Sequence, residues 1–230
     1  MMSVSKLLMA KITLIESQKK NKERVNVFLD GQFAFGLSLG LVYEKKLTIG
    51  QVLSEKQIID LVQADQVEKL TNKSLRFLSF RPRSEKEIRD NLLLAEKRKR
   101  KEEKSEIEGN LYEKSVGKVI EKLKRLDQVD DLEFARWWVG QRSRFNPKGA
   151  SVIKAELFKK GIDKEIINEV LNKEGEEELA LKFLEKKKQV LKRMDEWEFK
   201  TKMTQVLVRR GFTWEVAKKA VDTLLKEGVK

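Results

Sequence analysis

The strongest constraint on this chain is a helix stop written twice. Lys159-Lys160-Gly161-Ile162 and Arg209-Arg210-Gly211-Phe212 stand fifty residues apart. In each, glycine takes the left-handed position after a run of helix formers, and the next apolar residue folds back on the last turn. An N-cap follows at once, Asp163 or Thr213, then an acid in the new first turn, Glu165 or Glu215. A chain that stops and restarts helices twice in one register is built from a repeated helical unit.

The only two prolines extend the register. Pro82 stands in Phe80-Arg-Pro-Arg-Ser-Glu-Lys-Glu-Ile-Arg-Asp-Asn-Leu92, and Pro147 in Asn146-Pro-Lys-Gly-Ala-Ser-Val-Ile-Lys-Ala-Glu-Leu157. Each precedes a base and then Ser or Gly. Ile88, Arg89 and Leu92 follow the first proline at the intervals at which Ile153, Lys154 and Leu157 follow the second. Counting back from the helix stops puts Pro147 and Trp197 in equivalent places, which aligns Met203 and Leu207 with the same apolar positions. The pattern predicts three tandem three-helix repeats, with domains over residues 55–128, 129–174 and 175–230. Units this short bury little alone, so neighbours are expected to stack into an elongated array.

Residues 1–54 differ. Ile12 and Leu14, then Val25, Val27 and Leu29, alternate with polar neighbours at the period of a half-buried strand. Asp30-Gly31 is a two-residue hairpin signal, and Phe33, Phe35 and Leu37 continue the alternation beyond it. The expectation is a three-stranded antiparallel meander, with Leu39, Leu41, Val42 and Leu47 to Leu53 forming a helical or turn-like cover. The fold class is therefore mainly α, preceded by a small β element.

Helix starts are marked as clearly as the stops. Ser54-Glu-Lys-Gln57 and Ser84-Glu-Lys-Glu87 are both capping boxes, in which the hydroxyl serves an orphan amide and the fourth side chain reaches back. Asp130, Asp131 and Glu133 invite a magnesium reading, but they precede the apolar-periodic run Phe134 to Trp138, and N-capping explains them better. The stretch 96–109 is an almost wholly charged insert in the first repeat. It predicts a solvated helical extension with pairs such as Lys99 and Glu103, ended by a Gly109-Asn110 break. A nucleic-acid grip through Lys97 to Lys101 is the alternative.

Charge narrows the function. The 230 residues hold 50 Lys and Arg against 37 Asp and Glu, a net charge of +13. Residues 1–69 carry +2, residues 70–145 carry +6 and residues 146–230 carry +5. Such a balance favours polyanionic partners. With no Cys and no His, the usual zinc sets and the Ser-His-Asp and Cys-His systems are excluded. No Gly-rich phosphate loop with a following Lys-Ser/Thr appears. No catalytic residue, metal or cofactor is expected. The start is a poor signal peptide, and no stretch approaches a membrane span. The reading is a monomeric cytoplasmic protein without membrane contact.

The candidate binding residues are bases. Arg136, Arg142 and Arg144 follow Asp131 on one helix, and Lys148 and Lys154 lie at and inside the next. Lys159, Lys160, Arg209 and Arg210 close equivalent helices, where they either complement the dipole or bind a partner. Of the adjacent Trp137 and Trp138, one is expected to face the core with Phe134 and the other to stay partly exposed. Packing against a neighbouring repeat is set against stacking on a base. Arg81 and Arg83 flank Pro82 before a positive helix end, against dipole logic. They are left over by a structural account and so point to function.

These residues carry a resemblance. Phe77-Leu-Ser-Phe-Arg81-Pro82-Arg83-Ser-Glu-Lys-Glu-Ile-Arg89 resembles the signature of the RecX family, bacterial regulators of the recombinase RecA. Leu126 to Val139 and Asn146 to Ile162 are similar to its second and third motifs, and Lys11 to Gly36 to the strand-forming extension of its longer members. The resemblance implies a non-catalytic regulator built of three-helix repeats. It would lie in the groove of the RecA–DNA filament, touching single- or double-stranded DNA as well as protein, and inhibit strand exchange and ATP hydrolysis. The family's basic positions fall on Arg81, Arg83, Arg89, Arg136, Arg142 and Lys148. The insert 96–109 departs from the compact family pattern, and the third repeat matches it loosely. A general basic DNA-binding repeat protein and a protein–protein adaptor stand as the other two readings.

Overall fold

The computed structural model describes residues 9–99, 106–171, 175–187 and 195–228. They divide into two compact units, residues up to Phe77 with Leu92–Arg125, and Leu78–Asn91 with the residues from Leu126 onward.

In the first unit, strand β1 (Met9–Ser17) pairs antiparallel with β2 (Arg24–Leu29), and β2 with β3 (Gln32–Ser38). Val25, Val27 and Leu29 are buried while their neighbours are not, as the alternation predicts. Asp30 and Gly31 both take positive φ, 48° and 83°, which closes the tight turn. The sheet has a fourth strand that the alternation does not reveal. Val52–Ser54, β4, pairs antiparallel with Met9–Lys11, giving the order β3-β2-β1-β4. Three residues are too few to show a period, and it is the β1 ladder that draws them into the sheet. Helix α1 (Leu39–Glu44), capped by the Ser38 hydroxyl, lays Leu41 and Val42 on the core.

Helix α2 (Glu55–Leu78) opens with the capping box: Ser54 N–H donates to Gln57 Oε1 at 2.8 Å, and Gln57 N–H to Ser54 Oγ at 3.3 Å. Further along the helix, Asp65 is buried. It takes two bonds from the Arg24 guanidinium, each 3.0 Å, and the Ser38 N–H at 3.0 Å. This charged contact fastens α2 to the sheet. Helix α3 (Glu85–Lys99) and helix α4 (Glu106–Arg125) follow, and the Tyr112 hydroxyl donates to Leu92 O. Helix α4 runs through Gly109-Asn110, so the predicted break is absent. Both residues lie near the helix start, where poor interior formers are tolerated. The rest of the insert, 100–105, lies outside the described residues, and so do the Lys97 to Lys101 side chains and the Lys99–Glu103 pair.

The second unit holds the first turns of α3 and helices α5 (Asp131–Phe145), α6 (Ala150–Lys159), α7 (Lys164–Val170), α8 (Glu176–Glu185), α9 (Glu196–Arg209) and α10 (Trp214–Gly228). Phe134, Ile153, Leu157, Ile162 and Ile167 form one core, and Leu184, Phe199, Met203, Leu207, Phe212 and Leu224 belong to another. The repeat register holds: Ile88, Ile153 and Met203 are all buried, as are Leu92, Leu157 and Leu207. Both helix stops are also as read. Gly161 and Gly211 have φ of 78° and 91°, and Ile162 and Phe212 bond back to Leu157 and Leu207. Thr213 caps with its hydroxyl and Asp130 with its carboxylate, whereas Asp163 holds the N-cap place without a side-chain bond. Among the described residues no helix is long and apolar enough to cross a membrane.

Candidate functional site

The site grows from the two proline loops. The Ser84 hydroxyl accepts the Glu87 N–H and donates to the carbonyl of Lys160, which closes α6. One repeat on, Gly149 N–H donates to Arg210 O and the Ser151 hydroxyl to Gly211 O, at the end of α9. The C-terminal turn of α9 thus meets the start of α6, and that of α6 the start of α3, an alignment that helix dipoles favour. A carboxylate joins each junction. Asp131 accepts the Glu85 N–H at 2.8 Å, and Glu176 accepts the Ala150 N–H at 2.7 Å.

The approach is close enough to need glycine for a second reason. A Cβ on Gly161 would stand 2.7 Å from Lys86 Cβ, and one on Gly211 2.6 Å from Val152 Cγ2. A Cβ on Gly149 would overlap the Gly211 backbone.

At the first junction the capping box is only half formed, because Glu87 does not reach back. Its carboxylate takes both Arg81 nitrogens, at 2.8 and 2.9 Å, and also the Lys160 ammonium. Burial alone would raise this carboxyl, but the bonds from Arg81 and Lys160 hold it below the ordinary glutamate value. Glu156 repeats the arrangement, taking Lys148, Arg142 at 2.7 Å and the Trp138 indole N–H at 2.9 Å. It too is held low against its own burial. The Trp138 ring lies between the two carboxylates, with Arg142 at 4.5 Å, Lys160 at 5.0 Å and Arg81 at 6.0 Å from its centroid. Both tryptophans are half-buried within 6 Å of Phe134, so both pack on that core and both stay partly exposed.

The candidate bases therefore sort into an inward group, an outward group and two that are held in local ion pairs. Arg81, Arg142, Lys148 and Lys160 gather around Trp138. Arg81, which the sequence leaves over, has an internal partner set that explains its place before a positive helix end. Arg210 turns inward at the second junction, donating to Pro147 O and Asn146 over the Phe183 ring, and burial lowers its pKa. Arg83 is also half-buried: burial and then the Arg81 charge lower its pKa. The outward group is Arg144, Lys154, Lys159 and Arg209, all exposed. Arg136 is exposed but pairs with Glu133 and Glu169, and Arg89 pairs with Glu85. The four ambiguous helix-end bases divide evenly, Lys160 and Arg210 inward, Lys159 and Arg209 outward.

Sequence reasoning missed the two hub carboxylates, whose partners lie up to 73 residues away. It also passed over Phe80 and Phe145, each two residues before a proline, although the proline register marked both.

Comparison with known proteins gives a consistent result. Models of the RecX N-terminal domain and of its first, second and third three-helix domains match residues 10–54, 71–96, 130–171 and 175–221. A regulatory protein RecX from Listeria welshimeri is 35% identical over 217 residues, 91% of this chain and 74% of that protein. One from Clostridium beijerinckii is 32% identical, covering 94% of this chain and 97% of that protein. A crystal structure of a regulatory protein RecX superposes with a TM-score of 0.67 at 30% identity, over 93% of this chain and 99% of that one. RecX from Lactobacillus salivarius superposes at 0.56 and 26% identity, over 70% and 97%.

Proposed function

The chain belongs to the RecX family of regulatory proteins, and from that premise we propose that it binds the RecA–DNA filament and inhibits the recombinase. It changes a reaction that RecA performs rather than performing one. Its setting is homologous recombination and DNA repair in the cytoplasm, and it works as a monomer.

The observation that carries the reading is the division of the bases. Arg81, Arg142, Lys148, Lys160 and Arg210 hold the junctions and the loops between repeats. Arg144, Lys154, Lys159 and Arg209 remain exposed on those same elements, where they can meet phosphates or an acidic protein wall. Repeats joined end to end present such bases at intervals, which suits a partner that is itself periodic.

The test is affinity for RecA–DNA filament against bare DNA at matched salt. The reading expects tighter binding to the filament. Equal affinity for both, falling steeply with salt, selects instead the general DNA-binding reading that the net charge of +13 supports.

A further inference from the structure

Phe80 and Phe145 occupy the same place in successive repeats, each two residues before the loop proline. Phe80 is 82% exposed and Phe145 61%. Single exposed apolar residues are ordinary on protein surfaces. Two large rings left outside at one register position are not scatter.

Their exposure is imposed by the residues that follow. Arg81, next to Phe80, is drawn inward by its two bonds to Glu87. Asn146, next to Phe145, is tethered at the surface by the Arg210 guanidinium, which donates to its side-chain oxygen. Pro82 and Pro147 then fix the backbone. In both loops the chain is pinned one residue past the ring, and the ring is left outside on a preorganised support. In the third repeat the register position is Asp195, which caps Glu198 N–H at 2.8 Å, so the device occurs in two repeats only.

The surroundings say what the rings meet. Arg144 lies over the Phe145 ring at 5.2 Å. On the Phe80 side, the exposed Lys159 stands in the last turn of α6, the helix that ends against Ser84 of the Phe80 loop. A flat apolar face beside cations suits a partner with planar faces on an anionic backbone. We infer that Phe80 and Phe145 are stacking platforms for the unpaired bases of single-stranded nucleic acid. The inference deepens the proposed function, on which it rests, by naming the strand that the loops take.

The spacing sets a footprint. Helix α6 starts at the Phe145 loop and ends against Ser84 in the Phe80 loop, so the loops are one helix apart. Its 10 residues span about 15 Å at 1.5 Å each. A strand rising 3.4 Å per nucleotide covers that distance in about five nucleotides.

The test measures binding of the full-length chain to a thymidine oligonucleotide and to an abasic deoxyribose-phosphate polymer of equal length and charge. The expected preference for thymidine is on the order of tenfold per ring, and it should weaken sharply below about five nucleotides. Phe80→Ala with Phe145→Ala should remove the preference and keep the abasic affinity. Phe80→Trp with Phe145→Trp should retain it, which controls for folding. Equal binding of both polymers by the unaltered chain overturns the inference and leaves the filament reading standing. A double alanine variant that keeps the preference also overturns it. If that variant loses filament affinity with DNA affinity intact, the rings sit in a protein socket and the inference fails. Failure to bind either polymer or the filament overturns both readings.

Discussion

The hydroxyl of Ser84 donates to the carbonyl of Lys160 at 2.7 Å, seventy-six residues away, and that of Ser151 donates to Gly211 O at 2.8 Å. The two bonds join consecutive repeats by one device, the C-terminal turn of a helix set on the first turn of its counterpart.

The glycine at that junction is therefore required both for conformation and for space. Gly211→Ala places a side chain at φ 91° and 2.6 Å from Val152. The backbone and overpacking penalties together predict a loss of about 2–4 kcal/mol in denaturant unfolding. Gly40→Ala, whose added Cβ meets nothing within 4 Å, is the control and should change stability by about 1 kcal/mol or less.

The hub carboxylates predict an acid limit. Glu87 and Glu156 lie below their ordinary value of 4.5 in the folded chain. A depressed carboxyl contributes its full stability above the unfolded value and loses it as pH falls through the folded one. Unfolding free energy should thus decline progressively below about pH 4.5. Glu87→Gln with Glu156→Gln should flatten that part of the profile. An unchanged slope in the double variant contradicts the assignment.

Asp65 predicts a larger effect in the first unit. It is buried with Arg24 as a bidentate partner, so Asp65→Ala leaves an arginine without its carboxylate. The expected loss is about 3–5 kcal/mol, read by denaturant titration. Replacing both residues with apolar side chains should recover much of it.

Much of this architecture was legible because it obeys local rules. The helix stops, the Asp30-Gly31 turn and the buried register of Ile88, Ile153 and Met203 each depend on a few adjacent residues. What stayed hidden depends on distant ones. Strand β4 is too short to carry a period. Asp65 finds Arg24 forty-one residues away, and Glu87 finds Lys160 seventy-three away. Arg81 looked functional because it opposes the helix dipole, and only the fold brings Trp138 and the Glu87 carboxylate to it.

That correction changes which bases test binding cleanly. Arg81→Glu should lower stability along with affinity, since it sets an acid against Glu87. Arg144→Glu with Lys159→Glu alters exposed side chains. It should leave helical circular dichroism unchanged and lower DNA affinity, reducing the salt slope by about one for each phosphate that is no longer neutralised. Unchanged affinity would exclude these two residues from the interface.

The central claim is regulation of a recombinase, and RecA-dependent ATP hydrolysis on single-stranded DNA reads it most directly. Titrated from sub-stoichiometric to equimolar amounts, this protein should depress the steady-state rate progressively. A rate unchanged across the whole titration would contradict the account.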